Sequence, residues 1–197
     1  MKSFSQACEN NKDPILTALR RVFAATHTVL EVGSGTGQHA VYFGRHLPHL
    51  RWLTSDLLEN HVSIKTWLDE VKLPNVAYPM VLDAEVQPWL TEPVDGLFSA
   101  NTLHIMSWQQ VQSFFDGLPS VLLPNARAVI YGPFNYNGEF TSDSNRTFDY
   151  WLKRRGAHQG IRDFEAVSQL AEKIGLTLLE DNTMPANNRL LVWKYTG

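Results

Sequence analysis

Apolar positions along this chain follow two rhythms in turn, a helical one and a short continuous one. Ile15, Leu19 and Val22 share a face after Asp13-Pro14, a capping residue followed by a proline suited to a first helical turn, which predicts a helix over 13–25. The apolar run 28–32 (TVLEV) ends at glycines and predicts a strand, and a helix over 38–47 follows, stopped by Pro48. The alternation repeats with a strand over 51–55 and a helix over 60–71, where Ile64, Trp67, Leu68 and Val71 have helical spacing. Strands over 76–82 and 94–99 come next. A helix over 107–122, with Val111, Phe115 and Leu118 inward, leads into a strand over 126–132. Strands alternating with helices imply a parallel sheet with helices on both faces.

The end of the chain breaks this rhythm. Val167, Leu170, Ala171 and Ile174 mark a helix over 163–174, which Gly175 ends before a strand over 177–180. The segment DNTMPANNR then separates it from a last strand over 190–194, too short a link for the dozen or more residues of a parallel crossover. The last strand is therefore expected to run antiparallel to its neighbour. The fold class is α/β, a seven-stranded, mostly parallel sheet in a single domain over 1–197. Residues 133–175 exceed what one crossover helix needs, and a helix over 144–155 carries Phe148, Trp151 and Leu152 on one face. Residues 134–162 read as a lid over a substrate.

Composition narrows the setting. The 197 residues carry 17 basic and 20 acidic side chains, a net charge of −3 with no basic stripe, which argues against a nucleic-acid partner. The single cysteine, Cys8, cannot form an internal disulfide, no Cys/His spacing suggests a metal site, and a reducing cytoplasm is the expected compartment. Residues 1–14 lack an apolar core and do not read as a signal peptide. The uncharged stretch 96–115 is as long as a membrane span but contains Ser, Asn, Thr, His and three Gln, so no membrane partner is expected either.

Candidate chemistry gathers at strand ends. Glu31, Gly33, Ser34, Gly35 and Gly37 sit where the first strand meets its helix, in a G-x-G-x-G spacing that differs from the dinucleotide G-x-G-x-x-G. Asp56, with Leu57, ends the second strand, where a carboxylate can accept from both hydroxyls of a ribose. Asp83 closes the third, positioned to accept from an exocyclic adenine amine while the Ala84 N–H donates to the ring. Ligands in open α/β sheets bind at these carboxyl edges, so an adenosine site is expected. Strand direction brings other segments to the same rim: Asn11, Asn101 and His104, residues 134–149, Arg162 and Asp163, and the loop 184–188.

The stretch 31–37 together with Asp56, Asp83 and residues 101–104 resembles the Rossmann-like, class I S-adenosylmethionine-dependent methyltransferases. A closer similarity, to a methyltransferase-like family, rests on ENNKDPIL (9–16), YGPF (131–134), Ser144-Asn145 with Phe148-Asp149, GIRD (160–163) and MPANN (184–188). That resemblance implies the fold, S-adenosylmethionine as cofactor with S-adenosylhomocysteine as product, no metal, and in-line methyl transfer to a small-molecule substrate. Asn11, Glu31, Gly33, Ser34, Gly35, Gly37, Asp56, Leu57, Asp83, Ala84 and Asn101 are then the cofactor residues. Phe134, Asn145, Arg162, Asn187 and Asn188 are the expected substrate residues, and His104, Tyr131 and Asp149, with Asp163 behind them, are candidates for a base. Two other readings stay open: a non-catalytic cofactor-binding or scaffold protein, and an NAD-dependent oxidoreductase, which the glycine spacing and terminal hairpin disfavour.

Overall fold

The computed structural model describes residues 2–89 and 92–197. Helix α1 (Gln6–Val22), strand β1 (Thr28–Val32), α2 (Gln38–His46), β2 (Arg51–Asp56), α3 (His61–Val71) and β3 (Val76–Val81) form the first half. The second holds β4 (Val94–Ala100), α4 (Trp108–Gly117), β5 (Leu122–Gly132), β6 (Phe134–Asn135), α5 (Asp143–Arg155), β7 (Arg162–Asp163), α6 (Phe164–Lys173), β8 (Leu176–Met184) and β9 (Asn188–Tyr195). Seven strands make one sheet in the order β3-β2-β1-β4-β5-β9-β8. The first five pair in parallel, and β9 runs antiparallel to both β5 and β8, as the short link before it requires.

Consecutive strand residues feed opposite faces of this sheet, the period-two consequence of the pleat. Leu30, Leu97, Ile130 and Leu191 pack with α4 (Val111, Phe114, Phe115) and α6 (Val167, Ala171). Their chain neighbours Val29, Phe98, Val129 and Val192 pack on the other face with α1 (Ile15, Leu16, Leu19) and α2 (Ala40, Phe43). Both faces are thus covered, which leaves the carboxyl edge of the parallel strands as the open side.

Several boundaries differ from expectation for local reasons. Helix α1 begins seven residues before Asp13, because Ser5 supplies the cap by accepting from the Cys8 N–H (3.3 Å), and Pro14 lies inside the helix. Asp13 instead accepts from the Tyr42 hydroxyl. Helix α4 stops at Gly117, five residues short, where Leu118–Ser120 tightens into a 3-10 turn around Pro119. Strand β5 starts at Leu122 rather than 126: Leu122 pairs with Val94 but Arg127 with Gly96, a bulge whose exposed residues hide the strand from the hydrophobic pattern. Strands β8 and β9 extend through polar residues almost to the turn between them, since ladder pairing there needs no apolar side chains.

Candidate active site

The turn between β1 and α2 is pinned by backbone bonds: the Gly33 and Ser34 N–H groups both donate to the Ser55 carbonyl, at 3.1 and 3.0 Å. All three glycines have positive φ, but for different neighbours. A Cβ at Gly33 (φ 79°) would lie 2.7 Å from Thr102 Oγ1, and one at Gly37 (φ 95°) 2.9 Å from the Ile64 Cα. A Cβ at Gly35 (φ 56°) would meet nothing within 4 Å, so there the backbone lies bare to whatever enters. Asp56 grips this turn from β2, accepting from the Gly35 N–H (2.6 Å) on Oδ2 and from the Leu57 N–H (2.8 Å) and Asn60 Nδ2 (2.7 Å) on Oδ1. Glu31 lies beneath, accepting from Ser34 Oγ (2.8 Å) and Trp52 Nε1 (3.0 Å). Burial pushes its carboxyl up to about 7, against the lowering effect of those two bonds.

A cavity of about 990 Å³ opens above this turn along the carboxyl edge, at the upper end of the 300–1,000 Å³ common for small-molecule sites. Gly33, Ser34, Gly35, Asp56, Leu57, Asp83, Ala84 and Asn101 line it on the side of β1 to β4. Asn11, His104, Tyr131, Asn145 and Asn188 line other parts of its wall. Asp83 Oδ1 accepts from the Glu85 N–H (3.0 Å), a turn bond that leaves Oδ2 uncommitted among the described residues. Among the expected site residues, Glu31, Gly37, Phe134, Asp149, Arg162, Asp163 and Asn187 do not line the cavity.

Three of these, Asp149, Arg162 and Asn187, serve to fasten α5 over it. Ser142 caps α5 by accepting from the Asn145 N–H (3.1 Å). The buried Asn145 then donates to the Asn187 carbonyl (3.1 Å), and Asn187 Nδ2 donates to Ser144 Oγ (3.0 Å). The SN and MPANN motifs therefore lock together, with Ala186 and Asn187 held at φ 56° in the turn. At the other end Asp149 accepts from the Ile161 N–H (2.9 Å) and pairs with Lys153 (2.6 Å). Arg162 donates to the carbonyls of Leu103 (3.1 Å), Met106 and His158 (2.9 Å), and the Gly160 N–H donates to the His104 carbonyl (3.0 Å). GIRD is thus a clasp joining α5 to the loop after β4. Arg162 pairs with carbonyls here, and Asp149 finds its cation in Lys153.

Protonation separates the candidate bases. His104 is buried, set edge-on against Phe148 (5.3 Å), and burial with the nearby Arg162 charge brings its pKa down to about 4, so the ring is neutral near pH 7. Burial pushes the Tyr131 phenol up to about 12, although the Asn11 side chain hydrogen-bonds it. Asn11 Oδ1 also faces His39 Nε2 at 2.7 Å. A carbonyl oxygen only accepts, so His39, neutral with a pKa brought down to about 4 by burial, donates from Nε2. Asn11 can then donate to Tyr131, whose own proton is left to point elsewhere.

His39, Thr102, Trp151, Arg155 and Gln159 also line the cavity and were not among the expected site residues. His39 shares a helix face with Phe43, four residues on, and that spacing reads as core. Trp151 carried a signal in its helical face with Phe148; Arg155 continues the same face one turn further. Among the described residues no group of three His, Cys, Asp or Glu side chains stands close enough to hold a metal ion, and no helix is long and apolar enough to cross a membrane.

A family model described as Protein of unknown function (DUF938) matches residues 2–195. The chain belongs to that family. In fold it is similar to S-adenosylmethionine-dependent methyltransferases. An O-methyltransferase family protein from Burkholderia thailandensis superposes with a TM-score of 0.83 at 14% identity, over 94% of this chain and 56% of that one. The S-adenosylmethionine-dependent methyltransferase SibL, solved in its apo form, gives 0.80 at 18% identity, over 96% and 56%. Human N-acetylserotonin methyltransferase in complex with SAM gives 0.81 at 13% identity, over 98% and 53%. The chain spans little more than half the length of these solved structures.

Proposed function

We propose that the chain is an S-adenosylmethionine-dependent methyltransferase that acts on a small polar molecule. The observation that carries this reading is one cavity in which a bare-backbone glycine, Gly35, stands beside Asp56 and Asp83 at the ends of adjacent parallel strands. These residues fit the cofactor: Asp56 keeps one lone pair, on Oδ2, beyond its three internal bonds for a ribose hydroxyl, and Asp83 Oδ2 with the Ala84 N–H would meet an adenine. Support also comes from the capture of the human protein of the same fold with SAM.

S-adenosylmethionine supplies, when bound, a sulfonium methyl carbon that passes to the acceptor's lone pair while the carbon–sulfur electrons stay on sulfur as the thioether of S-adenosylhomocysteine. The chain's own part is to position the acceptor and exclude water, and α5, clasped at both ends, roofs the cavity as a lid for that purpose. His104 serves as hydrogen-bond acceptor for a substrate proton, because its neutral ring has a free lone pair near pH 7. Tyr131 serves as a donor and not as a base, its phenol being held protonated. Asp149 acts through the clasp. Calorimetry with S-adenosylmethionine and S-adenosylhomocysteine tests the reading: binding of both is expected, and binding of neither sinks it. A labelled-methyl screen of metabolites then separates an enzyme from a non-catalytic binder, since only the enzyme yields a labelled product.

A further inference from the structure

The cavity is electrically lopsided. Asp56, Glu59 and Asp83 line its β2–β3 end, whereas Arg155 is the one arginine or lysine among the described residues that line it. Of the other basic residues on α5, Lys153 pairs with Asp149, Arg146 with Asp143, and Arg154 does not line the cavity. Arg155 is in no ion pair among the described residues, and its Cζ stands over the Trp151 ring instead, 4.7 Å from its centroid. A guanidinium whose contact is with a ring and not with a carboxylate keeps N–H donors for one. Phe148, Trp151 and Arg155 follow one another at helical spacing on the cavity side of α5, the two rings stacked at 5.6 Å with 20° between planes. Beside them Gln159 also lines the cavity.

We propose that this face of α5 binds the acceptor, and that the acceptor is a planar aromatic acid bearing a hydroxyl or amino group. The ring lies along Phe148 and Trp151, and the carboxylate meets Arg155. This deepens the methyltransferase reading and rests on it for the word acceptor, but the binding site stands on its own geometry.

Three ligand sets test it by calorimetry: hydroxybenzoates and indole carboxylates, their neutral primary amides, and cyclohexane carboxylates, with S-adenosylhomocysteine titrated separately. The aromatic acids are expected to bind about tenfold tighter than the amides. Arg155→Gln should erase that ratio and leave the affinity for the amides and for S-adenosylhomocysteine unchanged. Trp151→Leu should erase the preference for aromatic over cyclohexane acids. Both positions are exposed, so both variants are expected to fold. Amides binding as well as acids, or ratios untouched by Arg155→Gln, overturn the proposal. Binding of S-adenosylhomocysteine without any aromatic acid overturns this site alone. Binding of aromatic acids without S-adenosylhomocysteine keeps the site and removes the methyltransferase reading.

Discussion

Three glycines within five residues look alike in the sequence and answer to different constraints in the fold. Gly37 needs its hydrogen because the Ile64 backbone stands 2.9 Å from where a Cβ would be, and backbone gives way poorly. Gly35 meets nothing, so an alanine there costs only the left-handed conformation, about 1 kcal/mol. Gly35→Ala is therefore expected to stay folded while its methyl obstructs the ligand, weakening S-adenosylhomocysteine by about tenfold or more. Gly37→Ala is expected to lose about 2 kcal/mol or more of stability. Urea unfolding and calorimetry on the two variants check this contrast, and a Gly35→Ala protein that binds like the parent removes the cofactor from this turn. The neighbouring carboxylate gives an independent handle. Asp56→Ala should cost about 1 kcal/mol or more of S-adenosylhomocysteine affinity, the worth of a buried charge-assisted bond. Unchanged affinity in a folded variant would mean the ribose sits elsewhere.

Helix α5 owes its position to other segments more than to its own burial, for among its residues only Asn145, Asp149 and Leu152 are buried. The Arg162 clasp is the tie that one substitution can cut. Arg162→Met leaves the Leu103 and Met106 carbonyls without their donor and should destabilise the protein by about 2 kcal/mol or more. Amide exchange in α5 and in residues 103–106 should quicken more than in β4 and β5, and uniform exchange would show that the clasp does not hold the helix. The elements legible in the sequence were those with their own apolar periodicity: among the described residues, all seven strands of the main sheet and the existence of the six α-helices. What escaped lacks such a signal. The first turn of α1 is polar and set by a serine cap, and β6 and β7 are two-residue strands joined by a parallel pair, Phe134 with Arg162 and Asn135 with Asp163. For the site, residue type and strand-end position brought Asp56, Asp83, Asn101 and His104 to the cavity. The same logic put Arg162 and Asn187 there too, because it sees which segments converge and not which way a side chain turns once they do. Arg155 escaped for the converse reason, since a basic last turn reads as a solvated helix end.

At the scale of the whole molecule, three buried groups among the described residues, Glu31, His39 and His104, contribute to how stability responds between about pH 4 and 7, and they pull in opposite directions. Glu31 has its pKa raised from 4.5 to about 7. The folded state then binds its proton more tightly than the unfolded state, so its contribution is full below about pH 4.5 and is lost as pH rises through 7. His39 and His104 have theirs lowered from 6.5 to about 4. For them the unfolded state binds the proton more tightly, so stability rises between pH 4 and 6.5. The opposed slopes flatten the profile of the parent protein across mildly acid pH. Glu31→Gln keeps an oxygen to accept from Ser34 and Trp52 but cannot ionise, which leaves the histidine slopes exposed. Urea midpoints at about pH 5, 6, 7 and 8 should show the variant gaining on the parent as pH rises, by on the order of 3 kcal/mol across the range. Subtracting the two profiles cancels both histidines, which the substitution does not touch. A difference that stays flat, or falls with pH, would mean Glu31 ionises in the folded protein as readily as in water, and that the carboxylate beneath the glycine turn is not the buried, proton-holding group the geometry describes.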